Sequence, residues 1–268
     1  MTFKDLGLSE ALLKAVADKG YTTPSPIQEK AVPHILQGKD VLASAQTGTG
    51  KTAGFAMPMI QLLAEEPTRQ RRPIRALVLA PTRELASQVL EDVQAYSSHV
   101  DLRSTVIFGG VKQNPQVDKL RKGVDILVAC PGRLMDLESQ GFVDLSQIEF
   151  LVLDEADRML DMGFLRDIKR IIAMMPSSRQ NLLFSATFSK EIRKLANGLL
   201  NNPVTVEATP ENTTAERVDQ IVYKVDQKRK TELITKLIWE GNWHQVLVFT
   251  RTKHGANRLV QKLEKAKI

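Results

Sequence analysis

Short apolar segments recur along the chain at a regular interval, and this pattern restricts the fold more than any other feature. They are DVLAS near 40, RALVLA near 75, STVIFG near 104, VDILVA near 124, FLVLD near 150, NLLFSA near 181 and VTVEA near 204. Helical-period stretches lie between them, including PIQEKAVPHILQG, KTAGFAMPMIQLLAEE, TRELASQVLEDVQAYSS and SKEIRKLANGLL. Strands without polar alternation, interleaved with amphipathic helices, predict a mostly parallel sheet covered by helices on both faces, which is a doubly wound α/β domain.

The pattern changes at residues 208–220, ATPENTTAERVDQ, which are polar and show no helical period. We expect a linker there, with residues 1–207 as the first domain. Residues 221–268 begin a second strand–helix pattern with IVYKV, KTELITKLIWEG, QVLVFT and KHGANRLVQKLEKAKI. About 50 residues are roughly a third of such a domain, so we expect 221–268 to be the truncated start of a second domain.

The composition is that of a soluble globular protein, with 43% hydrophobic and 25% charged residues. The first residues, MTFKDLGLSE, lack the features of a signal peptide, so a cytoplasmic protein without membrane contact is expected. The single cysteine, Cys130, excludes an intramolecular disulfide and a cysteine-cluster metal site. A formal charge of +6 favours a polyanionic partner, although the basic runs at 69–75 and 226–230 are by themselves explained as solvated loops.

The segment AQTGTGKT, at 45–52, follows a predicted strand and precedes a predicted helix. This order is typical of a phosphate-binding loop, in which backbone N–H groups and the helix N-terminus face a polyphosphate. Lys51 would then contact the β and γ phosphates, and the Thr52 hydroxyl would contact Mg²⁺. Ala45 stands at the first glycine position of the motif, which is tolerable if its φ is negative. The alternative interpretation of TGTG is a flexible turn.

Three carboxylates follow the apolar strand FLVL within four positions: Asp154, Glu155 and Asp157. Crowded carboxylates repel each other, so a positive partner is expected. In phosphate-loop enzymes an acid at the end of a neighbouring strand holds Mg²⁺, which suits Asp154, and Glu155 is placed to deprotonate an attacking water. Asp154 or Asp157 could instead cap the helix predicted at ADRMLDM, but capping explains one carboxylate and not three.

These motifs together resemble the DEAD-box family of ATP-dependent RNA helicases, and within it the bacterial RhlE-like group. The resemblance rests on Asp-Glu-Ala-Asp at 154–157 and AQTGTGKT, with GYTTPSPIQ (20–28), PTRELA (81–86), Gly109-Gly110, PGR (131–133), SAT (185–187) and VFTRT (248–252) in order. FGGVKQNPQ, DRMLDMGF and LVFTRTKHGAN point to the RhlE-like group. The resemblance implies a RecA-like first domain with a Q motif at about 1–29, an incomplete second RecA-like domain, and ATP with Mg²⁺ as cofactors.

For the nucleotide, the resemblance implies a binding set composed of Phe3, Tyr21, Gln28, Ala45, Gln46, Thr47, Gly48, Thr49, Gly50, Lys51 and Thr52. Gln28 would read the adenine edge, with Tyr21 or Phe3 near the ring. Ser25 to Gln28 also form a capping box, and one amide cannot fully serve both. Lys51, Asp154 and Glu155 would be catalytic, and Thr52 and Asp154 would hold Mg²⁺ largely through water.

For RNA, the resemblance implies contacts to the sugar-phosphate backbone, with little sequence specificity, from Pro81, Thr82, Arg83, Gly109, Gly110, Pro131, Gly132 and Arg133. Taken singly, each is also explained as an ordinary turn residue. Asp157, Ser185 and Thr187 would couple the nucleotide site to the rest of the protein, although Ser185 and Thr187 could form only a polar turn. Cys130 replaces the family's usual threonine, which removes one hydroxyl contact to phosphate, and is otherwise a small buried hydrophobe.

The family's arginine fingers lie in its second domain, and no His-Arg-x-Gly-Arg-x-x-Arg run follows Arg251 here. Such a finger is worth about 10³–10⁵ in rate, so the chain alone is expected to bind ATP with little turnover and little unwinding. Partners in ribosome assembly or RNA degradation remain open. A GTPase or transporter ATPase is disfavoured because Asn-Lys-x-Asp and Leu-Ser-Gly-Gly-Gln are absent. A non-enzymatic RNA- or protein-binding module is the second alternative.

Overall fold

The computed structural model describes residues 1–46, 48–65, 72–207, 219 and 221–268. The chain divides into two units, Met1–Thr213 and Thr214–Ile268. The predicted linker at 208–220 lies, except for residue 219, outside the described residues, as do residues 69–71 of the first basic run and Thr47 of the phosphate loop. The division into a first domain, linker and second domain therefore stays a prediction.

The first unit consists of seven strands interleaved with nine described helices and a short 3₁₀ helix at Phe3–Leu6. The strands are β1 Val41–Ser44, β2 Ala76–Leu79, β3 Ser104–Ile107, β4 Ile126–Ala129, β5 Phe150–Leu153, β6 Gln180–Ser185 and β7 Val204–Glu207. The helices are α1 Glu10–Asp18, α2 Pro26–Leu36, α3 Lys51–Glu65, α4 Arg83–Tyr96, α5 Asn114–Arg121, α6 Pro131–Ser139, α7 Ala156–Asp161, α8 Leu165–Ala173 and α9 Lys190–Leu199.

The seven strands form one sheet in the order β3-β4-β2-β5-β6-β1-β7, and all of its pairings are parallel. This confirms the predicted fold class and each of the seven strands proposed from the apolar segments. Because the strands are parallel, the loops after their carboxyl ends meet at one edge of the sheet, where ligands of open α/β sheets bind.

Helices cover both faces of the sheet, which is why its strands have no polar alternation. In β5, Phe150 and Val152 belong to the core packed under α1–α4, whereas Leu151 and Leu153 belong to the core under α5–α9. Most strand residues on either face are fully buried. The sheet is therefore a rigid layer that fixes the positions of the loops at its edge.

A buried carboxylate ties the amino ends of the strands beside β1. Asp40 accepts hydrogen bonds from the backbone N–H of Asn181 (2.7 Å), the side-chain amide of Asn181 (3.1 Å) and the backbone N–H of Asn201 (2.8 Å). Since each donor would otherwise be desolvated without a partner, Asp40 stabilises the entry into β1, β6 and the segment before β7.

The second unit contains a 3₁₀ helix at Gln227–Arg229 and the helices α10 Lys230–Glu240 and α11 Lys253–Lys265, as predicted. The strands predicted at IVYKV and QVLVFT were wrong, since no strand is present among residues 219 and 221–268. A segment becomes a strand only when a neighbour pairs with it. Val222, Leu247 and Phe249 are 91%, 80% and 88% exposed, so they also lack the packing that stabilises a strand.

Candidate functional site

The phosphate-loop segment lies between β1 and α3, as the sequence predicts. Gly48 and Gly50 adopt left-handed φ angles of 82° and 85°, and Ala45 does not adopt a positive φ, so its replacement of glycine is tolerated. α3 begins at Lys51, which places the first N–H groups of the helix at the loop. A helix N-terminus of this kind attracts a polyphosphate through its free N–H groups and its dipole.

The side chain of Gln28 joins the start of α2 to the phosphate-loop segment. Its Oε1 accepts the backbone N–H of Ser25 (3.0 Å) in the capping box of α2, and its Nε2 donates to the carbonyl of Gly50 (3.0 Å). Gly50 has a φ of 85°, which disfavours residues with a Cβ, and a Cβ there would lie 2.4 Å from Gln28 Nε2, so that the glutamine side chain would have to move. The capping alternative is therefore the one present in the structure, and adenine recognition by Gln28 stays a prediction.

Two buried charged atoms face this region without a hydrogen-bond partner in the described structure: Lys51 Nζ and Asp154 Oδ1. Their residues are 6% and 2% exposed. Burial raises the pKa of Asp154 to about 6, Lys51 opposes this rise, and the charges of Glu155 and Asp157 add to it. An ammonium and a carboxylate oxygen without hydrogen-bond partners in one buried region are costly unless a ligand satisfies both.

Glu155 adopts a left-handed backbone conformation, φ 53° and ψ 52°, at the N-cap of α7. This geometry costs a non-glycine residue about 1–2 kcal/mol and is found where a side chain must be aimed in a set direction. The carboxylate is nearly buried and lies 3.3 Å from the guanidinium of Arg158, one helical turn along α7. The side chain of the N-cap residue Glu155 makes no capping hydrogen bond, whereas Asp157 Oδ1 accepts the backbone N–H of Arg158 (3.1 Å) in the first turn of α7. Bonding at the helix end therefore explains one carboxylate and not three.

The third acid makes the contact that the resemblance implied. Asp157 Oδ2 accepts hydrogen bonds from the backbone N–H and the hydroxyl of Thr187, both at 3.1 Å. Ser185 does not reach the acidic cluster directly and donates instead to the carbonyl of Thr187 (2.8 Å). The three carboxylates therefore make different contacts. Asp154 faces the region of Lys51, Glu155 pairs with Arg158, and Asp157 joins the loop after β6 to α7.

Most of the predicted nucleotide-binding residues line one open cleft of 780 Å³. Its lining includes Phe3, Tyr21, Gln28, Gly48, Thr49, Gly50, Lys51, Thr52, Asp154 and Glu155. Ala45 and Gln46 do not line it, and Thr47 lies outside the described residues. The cleft joins the segment before α2 to the start of α3 and the end of β5, which are remote in sequence.

One wall of this cleft was missed by sequence reasoning. It is formed by α4, through Leu85, Gln88, Glu91, Asp92 and Tyr96. Lys19 pairs with Asp92 at 2.5 Å and lies 4.9 Å above the ring of Tyr96, and this holds α1 against α4. The helical spacing of these residues marks one face of α4, but polar residues on a helix face are normally solvated, so spacing alone gave no reason to assign them.

The predicted RNA residues follow three adjacent strands, β2, β4 and β3. The three loops contact one another: a Cβ on Gly110 would lie 3.1 Å from Arg83 Nη1, and Arg133 Nη2 donates to the carbonyl of Val111 (3.1 Å). The side chain of Arg83 is 51% exposed and that of Arg133 is 11% exposed. Arg83 is thus open to a ligand, while Arg133 joins the loop after β3 to α6 through Nη2 and keeps its buried Nη1 without a hydrogen-bond partner.

The two remaining polar positions of these loops have structural duties. The Thr82 hydroxyl accepts the backbone N–H of Leu85 (3.3 Å) and caps α4. Cys130 is buried at the N-cap of α6, and burial raises the pKa of its thiol to about 11. The thiol is protonated at neutral pH, which agrees with the interpretation of Cys130 as a small hydrophobe.

Two kinds of feature are not found among the described residues. No group of three or more His, Cys, Asp or Glu side chains among them could hold a metal ion. Within the described part of the chain, every helix is too short or too polar to cross a membrane. In proteins, Mg²⁺ beside phosphates is usually held by one or two carboxylates together with phosphate oxygens and water.

Comparison with known proteins gives concordant matches. The model of the DEAD/DEAH box helicase family matches residues 25–195. The DEAD-box ATP-dependent RNA helicase RhpA of Helicobacter pylori is 42% identical over 260 residues, which are 97% of this chain and 52% of the relative. The ATP-dependent RNA helicase DeaD of Haemophilus influenzae is 41% identical over 266 residues, 99% of this chain and 43% of the relative. The crystal structure of a DEAD box protein from Methanococcus jannaschii matches with a TM-score of 0.73 and 34% identity, over 99% of this chain and 70% of that one. The chain spans about half the length of the curated relatives that it matches.

Proposed function

Since the chain belongs to the DEAD/DEAH box helicase family, we propose that the whole protein is an ATP-dependent RNA helicase and that these residues supply its ATP-binding domain and part of its RNA-binding surface. RNA is the proposed macromolecular partner, and the proposed location is the cytoplasm. Membership of the RhlE-like group within the family remains a prediction from the sequence motifs.

The observation that carries the proposal is the pair of orphaned charges, Lys51 Nζ and Asp154 Oδ1, at the cleft beside the N-terminus of α3. A triphosphate would satisfy the ammonium, the glycine-bearing loop and the helix N-terminus together. A hydrated Mg²⁺ would satisfy the carboxylate and the Thr52 hydroxyl. Mg²⁺, when bound, would neutralise charge on the β and γ phosphates and so lower the barrier to attack on the γ phosphate.

The protein's own residues would then act on the nucleotide in distinct ways. Lys51 binds the β and γ phosphates, and Glu155 orients a water and accepts its proton at a carboxylate oxygen as the water attacks. The strained backbone of Glu155 and its contact with Arg158 keep that carboxylate fixed before the reaction. Gln28, near the base-binding end, would offer its remaining donor and acceptor to adenine while keeping its bonds to Ser25 and Gly50.

Hydrolysis and RNA binding would be linked through the loop after β6. Asp157 bonds Thr187 there, and β6 lies between β5, which carries the acids, and β1, which leads into the phosphate loop. RNA would lie on the loops after β2, β4 and β3, where Arg83 offers an exposed cation and Gly109 and Gly110 let backbone N–H groups approach phosphates. Such contacts carry no base information, so affinity should vary little with RNA sequence at a fixed salt concentration.

The 268 residues alone are proposed to bind ATP and to turn it over slowly, because a transition-state arginine would have to come from the longer protein. RNA-stimulated ATP hydrolysis of residues 1–268, compared with that of the full-length protein, tests this. Turnover as fast as in the full-length protein would contradict it.

The reaction itself is tested by Glu155→Gln in the full-length protein. The variant should bind ATP with unchanged affinity and lose at least about 100-fold in turnover, since the amide cannot accept the proton of the water. Glu264→Gln, an equal change at an exposed position of α11, is the control and should have no effect. Turnover that Glu155→Gln leaves unchanged would contradict the role given to Glu155, and turnover no higher than background in the unchanged full-length protein would favour the non-enzymatic binding module.

A further inference from the structure

A second groove of the first unit lies along the edge strand β3. It measures 780 Å³ and is bounded by the carboxyl-terminal halves of α4 and α5. Its lining includes Leu90 of α4, Arg103 and Ser104 at the amino end of β3, and Lys119 and Lys122 at the end of α5. It reaches the amino end of β3, whereas Gly109 and Gly110 follow the carboxyl end, so it is separate from the proposed RNA surface.

The backbone of β3 is paired on one side only within the described part of the chain. β3 pairs with β4, where the carbonyls of Arg103 and Ile107 accept N–H groups from residues 126 and 130. In a parallel strand, the N–H and C=O of one residue point to the same side, and those of the next residue point to the other side. The backbone groups of Ser104, Val106 and Phe108 therefore point away from β4.

Gln116 occupies the last of these outward positions. Its side-chain amide accepts the N–H of Phe108 (3.1 Å) and donates to the carbonyl of Phe108 (3.2 Å), as a neighbouring strand would. The available edge is therefore limited to Ser104, which lines the groove, and Val106, which lies between that lining and Phe108; together they offer two N–H donors and two carbonyl acceptors. Unpaired edges of this kind bind extended chains by adding a strand.

The charged side chains that line the groove favour a negatively charged chain. Arg103, Lys119 and Lys122 are exposed at it, and none of the described residues that line it is acidic. Arg103 Nη1 donates to the carbonyl of Lys122 (3.2 Å), which fixes the guanidinium beside the end of α5. Leu90, Leu102 and Val124 add apolar surface for alternate side chains of the added strand.

The same lining argues against single-stranded RNA as the occupant. Proteins that hold single strands without sequence preference stack bases on aromatic rings, and no described lining residue is aromatic. We propose that the groove beside β3 binds an acidic, extended peptide segment of a partner protein, which pairs with Ser104 and Val106 and places its carboxylates near Lys119 and Lys122.

The probe for this proposal is a fluorescein-labelled octapeptide of alternating glutamate and valine, titrated with the 268-residue chain and followed by fluorescence anisotropy. Reversing two charges, as in Lys119→Glu with Lys122→Glu, should weaken binding at least about tenfold, because two attractions become repulsions. The double variant Lys169→Glu with Arg170→Glu, an equal charge change on α8, is the matched control and should bind the peptide as the unchanged chain does.

Backbone pairing is tested separately from charge. The same peptide with all backbone nitrogens methylated keeps its carboxylates but has no N–H donors, and it should also bind at least about tenfold more weakly. Hydrogen exchange at the amides of Ser104 and Val106 should slow in the complex, while that of Phe108, already bonded to Gln116, should not change.

Three results would overturn the proposal. They are equal binding by the methylated peptide, equal binding by the Lys119 and Lys122 double variant, and no binding at about 1 mM peptide. A uridine oligonucleotide whose affinity falls in that variant, when peptide affinity does not, would assign the groove to nucleic acid instead.

Discussion

Replacing Asp154 with asparagine should stabilise the nucleotide-free chain at neutral pH, although it removes an acid of the candidate site. Burial raises the pKa of Asp154 from its ordinary value of 3.8 to about 6. Between these two values the folded chain holds a proton on Asp154 that the unfolded chain has already released. Stability therefore falls as pH rises through this window, and above about pH 6 the folded state bears the full cost of a buried carboxylate.

The size of the effect follows from the two pKa values. A change from 3.8 to about 6 corresponds to about 3 kcal/mol of lost stability near pH 7.5 and to about 0.5 kcal/mol near pH 4. Asparagine has the shape of the protonated acid and stays neutral. The Asp154→Asn variant should therefore gain about 3 kcal/mol near pH 7.5 and little near pH 4.

Urea unfolding of both chains near pH 4 and near pH 7.5, without nucleotide, measures this difference. Far-ultraviolet circular dichroism is the suitable signal, because both tryptophans, Trp239 and Trp243, belong to the second unit and their fluorescence does not report on the sheet. Asp161→Asn, an equal change at an exposed position of α7, is the control and should bring no pH-dependent gain. Equal stability of the Asp154→Asn and unchanged chains near pH 7.5, or a gain that does not depend on pH, would refute the reasoning.

Three further outcomes are expected. Gly50→Ala should lower stability by about 1–3 kcal/mol and weaken ATP binding in calorimetric titration, because the φ of Gly50 is 85° and the added Cβ would meet Gln28. The control is Gly198→Ala in α9, which has open space around it and should be neutral or slightly stabilising. Asp40→Ala should cost about 3 kcal/mol in urea unfolding, since three donors lose their acceptor; a loss below about 1 kcal/mol would show that water replaces the carboxylate. Iodoacetamide should modify Cys130 about 100-fold more slowly in the folded chain than in urea near pH 7.5, as its pKa is about 11 instead of 9.0; equal rates measured by mass spectrometry would contradict the burial of the thiol.

The fold was predictable because each strand is buried on both faces and therefore reads as an uninterrupted apolar run. The same reasoning failed at IVYKV and QVLVFT, where the runs are equally apolar but have no neighbouring strand to pair with. Periodicity identifies segments that could form strands. Periodicity does not show whether another strand lies close enough to pair with such a segment, because that depends on residues far away in the sequence.

The candidate site was predictable where a short motif fixes the chemistry, as with Lys51 and Asp154. It was not predictable where the chemistry depends on packing. The left-handed backbone of Glu155, the use of both ends of the Gln28 amide and the burial of the Arg133 side chain arise from contacts between loops that the sequence does not place side by side. The wall that α4 contributes to the nucleotide cleft was not predictable for the same reason.

The position of β1 in the sheet has a consequence for how the domain is made. β1 carries the phosphate loop and lies near residue 41, but its two neighbours, β6 and β7, begin at Gln180 and Val204. During synthesis β1 must therefore wait for roughly 140 further residues, about 7 to 30 s at 5–20 residues per second, before either neighbour exists. Until then β1 has no neighbouring strand, although α2, which is made just before it, can already pack against it. The nucleotide site is accordingly among the last parts of the first unit to form, although its key lysine is among the first to be made.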